Sequence, residues 1–170
     1  MPTTPQTQPT ISRTHSWAPP TVPADVAELS GLEFLERLVD GRIAPPPIAS
    51  TLGFRITHVE RGLAVFVGET GEHLYNPIGS VHGGYLAALL DSALGCAIMS
   101  ELPPGTAYTT VQLGVNMVRP VYANTGPLRC EARTLHVGRT VATSEARIVG
   151  EGDGRLYAHA TTTCAVFPMR

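Results

Sequence analysis

The amino-acid sequence predicts an α+β fold: a curved antiparallel sheet of about six strands wrapped around one long central helix, with a short N-terminal helix before it. One apolar run, residues 83–99, is long enough for a buried helix and is rich in alanine and glycine, which allow a sheet to approach closely. Six other segments alternate apolar and polar residues with the period of a strand. The last strands are joined by short connections, which favour antiparallel hairpins.

The chain divides into a leader and one domain. Residues 1–24 are rich in Thr, Pro and Gln and have almost no apolar periodicity, so we expect a flexible leader. Residues 25–170 contain all the periodic segments and are long enough for a single hydrophobic core.

Capping signals place the first helix of the domain. Ser30 and Glu33 have the spacing of a capping box, and Gly41 is placed to end the helix that they start. Pro45–Pro47 is expected to stop any helix and to act as a stiff spacer.

The strands and the long helix follow in turn. Two strands begin near Phe54 and Leu63, with a turn at Gly62 between them. Ser80 is expected to cap the long helix. The next strand is expected to place four apolar side chains on one face, and three further strands begin near Leu128, Ala142 and Leu156. The four apolar residues are Val111, Leu113, Val115 and Met117.

Composition excludes several function classes. The formal net charge is −2 and charged residues make up 15% of the chain, so we expect no nucleic-acid partner and no binding to a membrane surface. The apolar run is short for a membrane span and carries Asp91 at its middle. The odd, widely spaced cysteines Cys96, Cys130 and Cys164 favour a reducing compartment, hence a cytoplasmic protein, and offer no spacing for a metal site.

Residues 76–91 combine three groups that acyl-transfer chemistry needs. Asn76 can orient a water molecule or a carbonyl, and the glycines after His82 can aim backbone N–H groups of a helix start at a developing oxyanion. Asp91 is a single carboxylate in an apolar setting, which favours its use as a base. The alternative for Asp91 is a buried acid that only ties down a neighbouring backbone.

With these motifs the chain resembles the hotdog-fold acyl-CoA thioesterases, specifically their phenylacetate-pathway-like branch, over roughly residues 31–167. The matching residues are Asn76, Gly79, His82–Gly84 and Asp91, with a later segment from Thr110 to Pro120. The resemblance implies dimers that extend the sheet, often dimers of dimers, and hydrolysis of acyl-CoA thioesters without a metal or other cofactor. Coenzyme A enters only as part of the substrate.

The resemblance also implies roles for individual residues. Asp91 would activate a water molecule or attack the thioester itself, and the N–H of Gly83 would polarise the carbonyl. Asn76 would position water or substrate, His82 would brace the loop, and Thr110 would support the water molecule.

Four further residues are candidates for substrate binding. Arg119 and Arg139 lie in loops, where an arginine suits the phosphates of coenzyme A, although a solvated arginine explains them equally well. Tyr75 is a candidate for the acyl pocket, with core packing as the alternative. Gly84 would let substrate or sheet approach the helix start closely.

The spacing of Gly83 and Asp91 predicts a dimer. The two residues are eight positions apart, which on one helix is a rise of about 12 Å. A base and an oxyanion donor must each lie about 3 Å from the reacting atoms, so one helix does not easily supply both. A two-fold dimer, in which Gly83 of one subunit faces Asp91 of the other, resolves the conflict.

The sequence therefore predicts a thioester hydrolase that converts an acyl- or aryl-acyl-CoA to the free acid and coenzyme A. The alternative is a non-catalytic hotdog module that binds acyl-CoA, which has no need for Asp91 in an apolar groove. A hotdog hydratase is disfavoured because residues 77–81, just before His82, contain no acid. Whether Asp91 acts as base or as nucleophile stays open.

Overall fold

The computed structural model describes residues 10–20 and 22–169 and confirms the predicted α+β architecture. Its helices and strands are α1 (Gly31–Val39), α2 (Pro47–Leu52), β1 (Phe54–Glu60), β2 (Leu63–Gly68), α3 (Gly83–Met99), β3 (Thr106–Met117), β4 (Leu128–Val137), β5 (Val141–Gly150) and β6 (Leu156–Pro168). The six strands form one antiparallel sheet in the order β1-β2-β4-β5-β6-β3.

Helix α3 fills the centre of the molecule. Its 17 residues are apolar on nearly every side, so the helix is stable only when it is covered by the sheet. Leu89, Leu90 and Leu94 are completely buried. The buried Ser144 of β5 donates a hydrogen bond to the carbonyl of Leu94 at 3.1 Å, which offsets the cost of burying that hydroxyl.

Strand β3 forms one edge of the sheet and contains a β-bulge. Thr110 pairs with Cys164 and Gln112 pairs with Thr163, so Val111 is an extra residue without a partner in β6. The prediction that Val111 and Leu113 share a face is therefore wrong: Val111 is 61% exposed, while Leu113 packs against the core. Because of the bulge, Thr110 and Leu113 both face inward.

The N-terminal helices cover the other edge of the sheet, where α1 packs on β1. The capping box of Ser30 and Glu33 is confirmed, with both reciprocal hydrogen bonds present. The proline triplet is more than a spacer, because Pro47 is the first residue of α2, a position where its missing N–H costs nothing.

The leader is described in part. Its residues 10–20 and 22–24 form neither helix nor strand, and residues 1–9 lie outside the described part of the chain, so its flexibility stays a prediction. Within the described ranges, no helix is long and apolar enough to cross a bilayer.

Candidate active site

A cavity of about 490 Å³ opens beside the middle of α3. Polar groups from two elements form one wall: Asp91 and Ser92 from α3, and Thr110 from β3. The remainder is mostly apolar and comes from the ends of α1 and α2, the loop between them, and strands β1 and β2. Its main apolar members are Leu38, Ile43, Pro46, Ala49, Phe54 and Phe66.

Asp91 is held in this wall by one hydrogen bond. The Thr110 hydroxyl donates to Asp91 Oδ1 at 3.0 Å, and both residues are half-buried. No other described residue hydrogen-bonds to the carboxylate, so Oδ2 is left for a water molecule or a substrate atom. The bulge at Val111 makes this contact possible, because it turns Thr110 toward the helix.

The start of α3 is capped by His82, and the prediction that Ser80 caps it is wrong. His82 Nδ1 accepts a hydrogen bond from the Gly84 N–H at 2.8 Å, as a capping side chain does. Ser80 cannot take this role because its hydroxyl faces back into the preceding loop, where it accepts a hydrogen bond from Asn76 Nδ2 at 3.0 Å.

The first backbone N–H of α3, that of Gly83, has no acceptor among the described residues. The first N–H groups of a helix have no intrahelical partner, and here most are satisfied. His82 donates to the Leu74 carbonyl at 2.7 Å, Gly84 to the His82 ring, and Tyr85 to the His82 carbonyl at 3.0 Å. Among the described residues nothing accepts from the Gly83 N–H. It is therefore free for an oxygen of a ligand, at the positive end of the helix dipole.

Close packing explains the glycine at this position. A Cβ on Gly83 would lie 2.5 Å from the sulfur of Met117, at the end of β3. Likewise, a Cβ on Gly95 would lie 2.7 Å from the Tyr108 hydroxyl, near the beginning of β3. Together with the Thr110–Asp91 contact, these pairs show that β3 runs antiparallel along α3.

Asn76 shapes the loop that leads into the helix. Its Oδ1 accepts hydrogen bonds from the N–H groups of Ile78 at 3.0 Å and Ser80 at 3.2 Å, and its backbone N–H donates to the Ser80 carbonyl at 2.7 Å. Gly79 completes the turn with a φ of 83°, which favours glycine. Asn76 thus lies before the helix start and outside the wall of the Asp91 cavity; its contact with water or substrate stays a prediction.

The family model of the thioesterase superfamily matches residues 78–157, which include the helix start, Asp91 and Thr110. A solved structure titled as a phenylacetic acid degradation-related thioesterase of Ralstonia eutropha JMP134 is 32% identical. That alignment covers 78% of this chain and 98% of the other, with a TM-score of 0.70. The chain belongs to the thioesterase superfamily. Its fold is the hotdog fold, its branch is that of the phenylacetic acid degradation proteins, and its enzyme class is thioester hydrolase.

Two curated relatives agree with this family. A 1,4-dihydroxy-2-naphthoyl-CoA hydrolase of Listeria monocytogenes is 26% identical over 123 residues, which are 72% of this chain and 98% of the relative. A Halobacterium salinarum protein with an esterase name is 39% identical over 77 residues, 44% of this chain. The match spans about half, 49%, of the length of that second relative.

The other predicted binding residues of the thioesterase lie away from the cavity. The Tyr75 hydroxyl accepts a hydrogen bond from the Ala123 N–H at 2.9 Å and so joins two loops. Gly84 is exposed beside the cap. Arg119 follows β3 and donates to the Leu156 carbonyl at 3.3 Å, whereas Arg139 is exposed in the turn between β4 and β5, at the opposite end of the sheet.

Several residues of the cavity wall were missed by the sequence analysis. Cys96 lies one helical turn after Ser92, so projection of the helix from Asp91 would have found both. Burial, with a smaller effect of Asp91, raises the pKa of Cys96 to about 12, so this thiol is protonated and unreactive at neutral pH. The apolar residues from α1 and the proline loop carry no signal in the sequence that connects them to Asp91.

The thioesterase has no visible metal-binding cluster within the ranges described. No three His, Cys, Asp or Glu side chains there lie close enough together to hold an ion.

Proposed function

We propose that this thioesterase hydrolyses acyl-CoA esters to the free acid and coenzyme A, in a site that two subunits share. Asp91 of one subunit supplies the base or nucleophile, and the Gly83 N–H of the partner subunit binds the carbonyl oxygen. One observation carries the proposal: the free N–H at Gly83 and the oriented carboxylate of Asp91 lie on one helix, about 12 Å apart by helical rise. The Listeria relative, named as a CoA-thioester hydrolase, supports the substrate class.

The exposed edge of β3 supports the dimer. This strand is 12 residues long and pairs with β6 on one side only. Large apolar side chains are exposed along and just after it: Val111 at 61%, Met117 at 50% and Val118 at 54%. A long apolar edge strand is a template for pairing with another chain. The opposite edge strand, β1, is only seven residues long and packs against α1.

The bulge suggests the register of that pairing. If a two-fold axis passes through Gly114, Gln112 faces Asn116 of the partner subunit, and both side chains are exposed on one face of the sheet. Val111 is an extra residue in the strand, so the pairing shifts by one position there. Thr110 then faces Met117 of the partner subunit. Met117 lies over Gly83, and Thr110 contacts Asp91. This register therefore brings the two halves of the site together.

The proposed reaction needs few groups. The thioester oxygen accepts a hydrogen bond from the Gly83 N–H, which stabilises the negative charge that develops there. In the base route, Asp91 takes a proton from water as the water oxygen bonds to the acyl carbon, and the C–S bond then breaks to release the coenzyme A thiolate, which recovers the proton. In the nucleophile route, Asp91 displaces the thiolate to give a mixed anhydride, which water hydrolyses.

Other residues have supporting roles in this proposal. Thr110 is a positioning residue, because its hydroxyl fixes one carboxylate oxygen and leaves the other toward the substrate. His82 and Asn76 hold the helix start and its loop, which sets the direction of the Gly83 N–H. Arg119 follows β3 beside Met117 and is the arginine better placed for the phosphates of coenzyme A.

The proposal includes no metal or other cofactor, and coenzyme A takes part only within the substrate. The three cysteines are free thiols, and with a coenzyme A substrate they favour a cytoplasmic protein. A dimer of dimers stays a prediction.

Release of free thiol from a panel of acyl-CoA esters tests the activity. Wild type is expected to hydrolyse at least one ester, and Asp91→Asn, which keeps shape and hydrogen-bonding capacity, is expected to lose about 100- to 10,000-fold in kcat. Full activity in Asp91→Asn contradicts the assigned chemistry. No hydrolysis by wild type would favour the non-catalytic module. Incorporation of ¹⁸O into Asp91 after a single turnover in ¹⁸O-water would establish the nucleophile route, since only a mixed anhydride attacked at the Asp91 carbonyl places solvent oxygen there.

Cross-linking tests the register. Gly114→Cys is expected to form a disulfide between subunits on mild oxidation, because residues facing each other across an antiparallel pair have Cα atoms about 4.5–5.5 Å apart. The nearest neighbour of a Cβ at this position is the flexible end of Gln112 at 3.1 Å, and Thr161 lies at an ordinary contact distance of 3.8 Å. Thr109→Cys, exposed on the same strand but away from the axis, is the control. Equal cross-linking of both variants, or of neither, would reject the axis at Gly114.

A further inference from the structure

We propose that the cavity beside Asp91 is the acyl pocket, and that residues 38–49, the roof segment, set the length of the apolar acyl group that the enzyme accepts. The roof segment comprises the end of α1, the proline loop and the first residues of α2. This inference rests on the proposed function, because it takes Asp91 to be the group that meets the thioester.

The apolar lining and the volume of the cavity suit an apolar ligand. Phe54 and Phe66 meet edge to face, with ring centroids 6.2 Å apart, and form its floor. Both rings are nearly buried, at 5% and 6% exposure. The roof adds Leu38, Ile43 and Ala49. At about 490 Å³ the cavity is within the usual size of small-molecule pockets, and an acetyl group would leave most of it empty.

Apart from Arg55, the polar side chains of the cavity come from α3 and β3: Asp91, Ser92, Tyr108 and Thr110. The Thr110 hydroxyl donates a hydrogen bond to Asp91, and the Ser92 hydroxyl donates one to the Ala88 carbonyl at 2.9 Å. The positively charged residue of the wall, Arg55, is exposed and therefore lies at the rim. An acyl group that extends from Asp91 toward the floor thus meets apolar side chains, which favours a hydrocarbon chain or ring over a charged acyl group.

Local contacts hold the roof segment in place over the cavity. Ile43 donates its N–H to the Arg37 carbonyl at 2.9 Å, which folds the chain back after α1. Asp40 and Arg42 form an ion pair at 2.6 Å across this turn. Three successive prolines then restrict the backbone before α2. We therefore expect this wall to resist displacement, so that an acyl group longer than the cavity binds poorly.

The roof segment contributes none of the groups that carry out the reaction. Asp91 and Thr110 lie on α3 and β3, and the Gly83 N–H comes from the partner subunit in the proposed dimer. Changes in the roof should therefore alter the choice of acyl group, with the largest effects on acyl groups long enough to reach it.

The test compares two variants that change the cavity volume in opposite directions with a control variant from the same segment. Ile43→Ala enlarges the cavity, and Ala49→Leu fills it. Ile48→Ala is the control, because Ile48 is 53% exposed and does not line the cavity. The kcat/KM of each protein is measured for straight-chain acyl-CoA esters from acetyl to palmitoyl, and each variant is checked for a cooperative thermal transition.

Wild type is expected to gain about fourfold in kcat/KM for each methylene until the cavity is full, and then to lose activity. The length of the best substrate should increase by about two carbons in Ile43→Ala and decrease in Ala49→Leu, where added volume takes up the space. Ile48→Ala should follow wild type at every chain length, from acetyl-CoA to palmitoyl-CoA. Unchanged length profiles in both roof variants, or an equal shift in Ile48→Ala, would overturn the inference.

Binding separates this inference from the proposed function. Calorimetry measures the affinity of Asp91→Asn for free carboxylic acids of the same lengths, since this variant removes the like charge facing the ligand. If wild type hydrolyses no ester but Asp91→Asn binds acids with a length limit that Ile43→Ala extends, the pocket stands and the hydrolase proposal fails. If esters are hydrolysed and acid binding does not depend on length, the hydrolase proposal stands and the acyl pocket fails.

Discussion

At the start of α3, most of the hydrogen bonds that fix the geometry join neighbours in the sequence: Asn76 to Ser80, His82 to Gly84, and His82 to Leu74. The Val81 N–H, which donates to the Val121 carbonyl at 2.9 Å, is an exception. At the middle of α3, Asp91 is held by Thr110, 19 positions away, and faces a cavity whose walls begin at Leu38. The donor half of the proposed site is thus mainly a local structure, although it packs on Met117 of β3, whereas the acid half depends on the whole fold. The acid half should therefore respond more strongly than the donor half to changes in distant elements.

Among changes that keep Asp91 in place, the largest expected fall in kcat follows the loss of the donor itself. Gly83→Pro removes the N–H at the first position of the helix, where proline fits the backbone well. Removing one oxyanion donor should lower kcat by about 100- to 1000-fold. The measurement is steady-state thiol release.

Gly83→Ala is the matched control, because it adds the same Cβ against the Met117 sulfur but keeps the N–H. It should retain far more activity than the proline variant. Equal losses in the two variants would mean that packing at Met117 matters and the N–H does not.

A smaller fall in kcat is expected when Asp91 loses the hydrogen bond that orients it. Thr110→Val has nearly the same shape but cannot donate to Asp91 Oδ1. We expect kcat to fall by about tenfold, the equivalent of one hydrogen bond of about 1.4 kcal/mol, with KM nearly unchanged. Thr110→Ser keeps the hydroxyl and should restore most of the rate. A Thr110→Ser variant as slow as Thr110→Val would show that the methyl packing of Thr110 matters and its hydroxyl does not.

The smallest change in activity is expected for substitution of Cys96, which lines the Asp91 cavity but has no role in the proposed reaction. Burial raises its pKa to about 12, so the thiolate is scarce at neutral pH and increases only as the pH rises toward that value. Cys96→Ser should keep activity within about threefold, as for a near-isosteric change. Iodoacetamide should alkylate the native protein slowly at pH 7 and faster above pH 9, as mass spectrometry would show. Rapid alkylation at pH 7 would contradict this protonation state.

The same contrast explains what could be predicted from the sequence. The capping box at Ser30 and the buried helix with Asp91 depend on local patterns, and both are confirmed. The cap of α3 was placed two residues too early, because serine is a commoner cap than histidine, and only the geometry shows the Ser80 hydroxyl turned back toward Asn76.

The features that were missed depend on contacts between distant segments. The bulge at Val111 inserts one residue into a regular apolar alternation, so the sequence pattern places Val111 on the wrong face. From the sequence, the roof segment is predicted only as a proline spacer, because no local sequence pattern links Ile43 to Asp91. Tyr75 and Arg139 were proposed from residue type and loop position, and neither lines the Asp91 cavity.

A hybrid dimer tests the shared site most directly. Asp91→Asn and Gly83→Pro subunits are co-expressed with different affinity tags, and the mixed dimer is purified by both tags in turn. Each parent homodimer lacks one half of both sites and should be nearly inactive. The hybrid should recover about half the wild-type activity, because one of its two equivalent sites combines the intact Gly83 of the first subunit with the intact Asp91 of the second. Activity no higher than that of the parents would contradict a site shared between subunits.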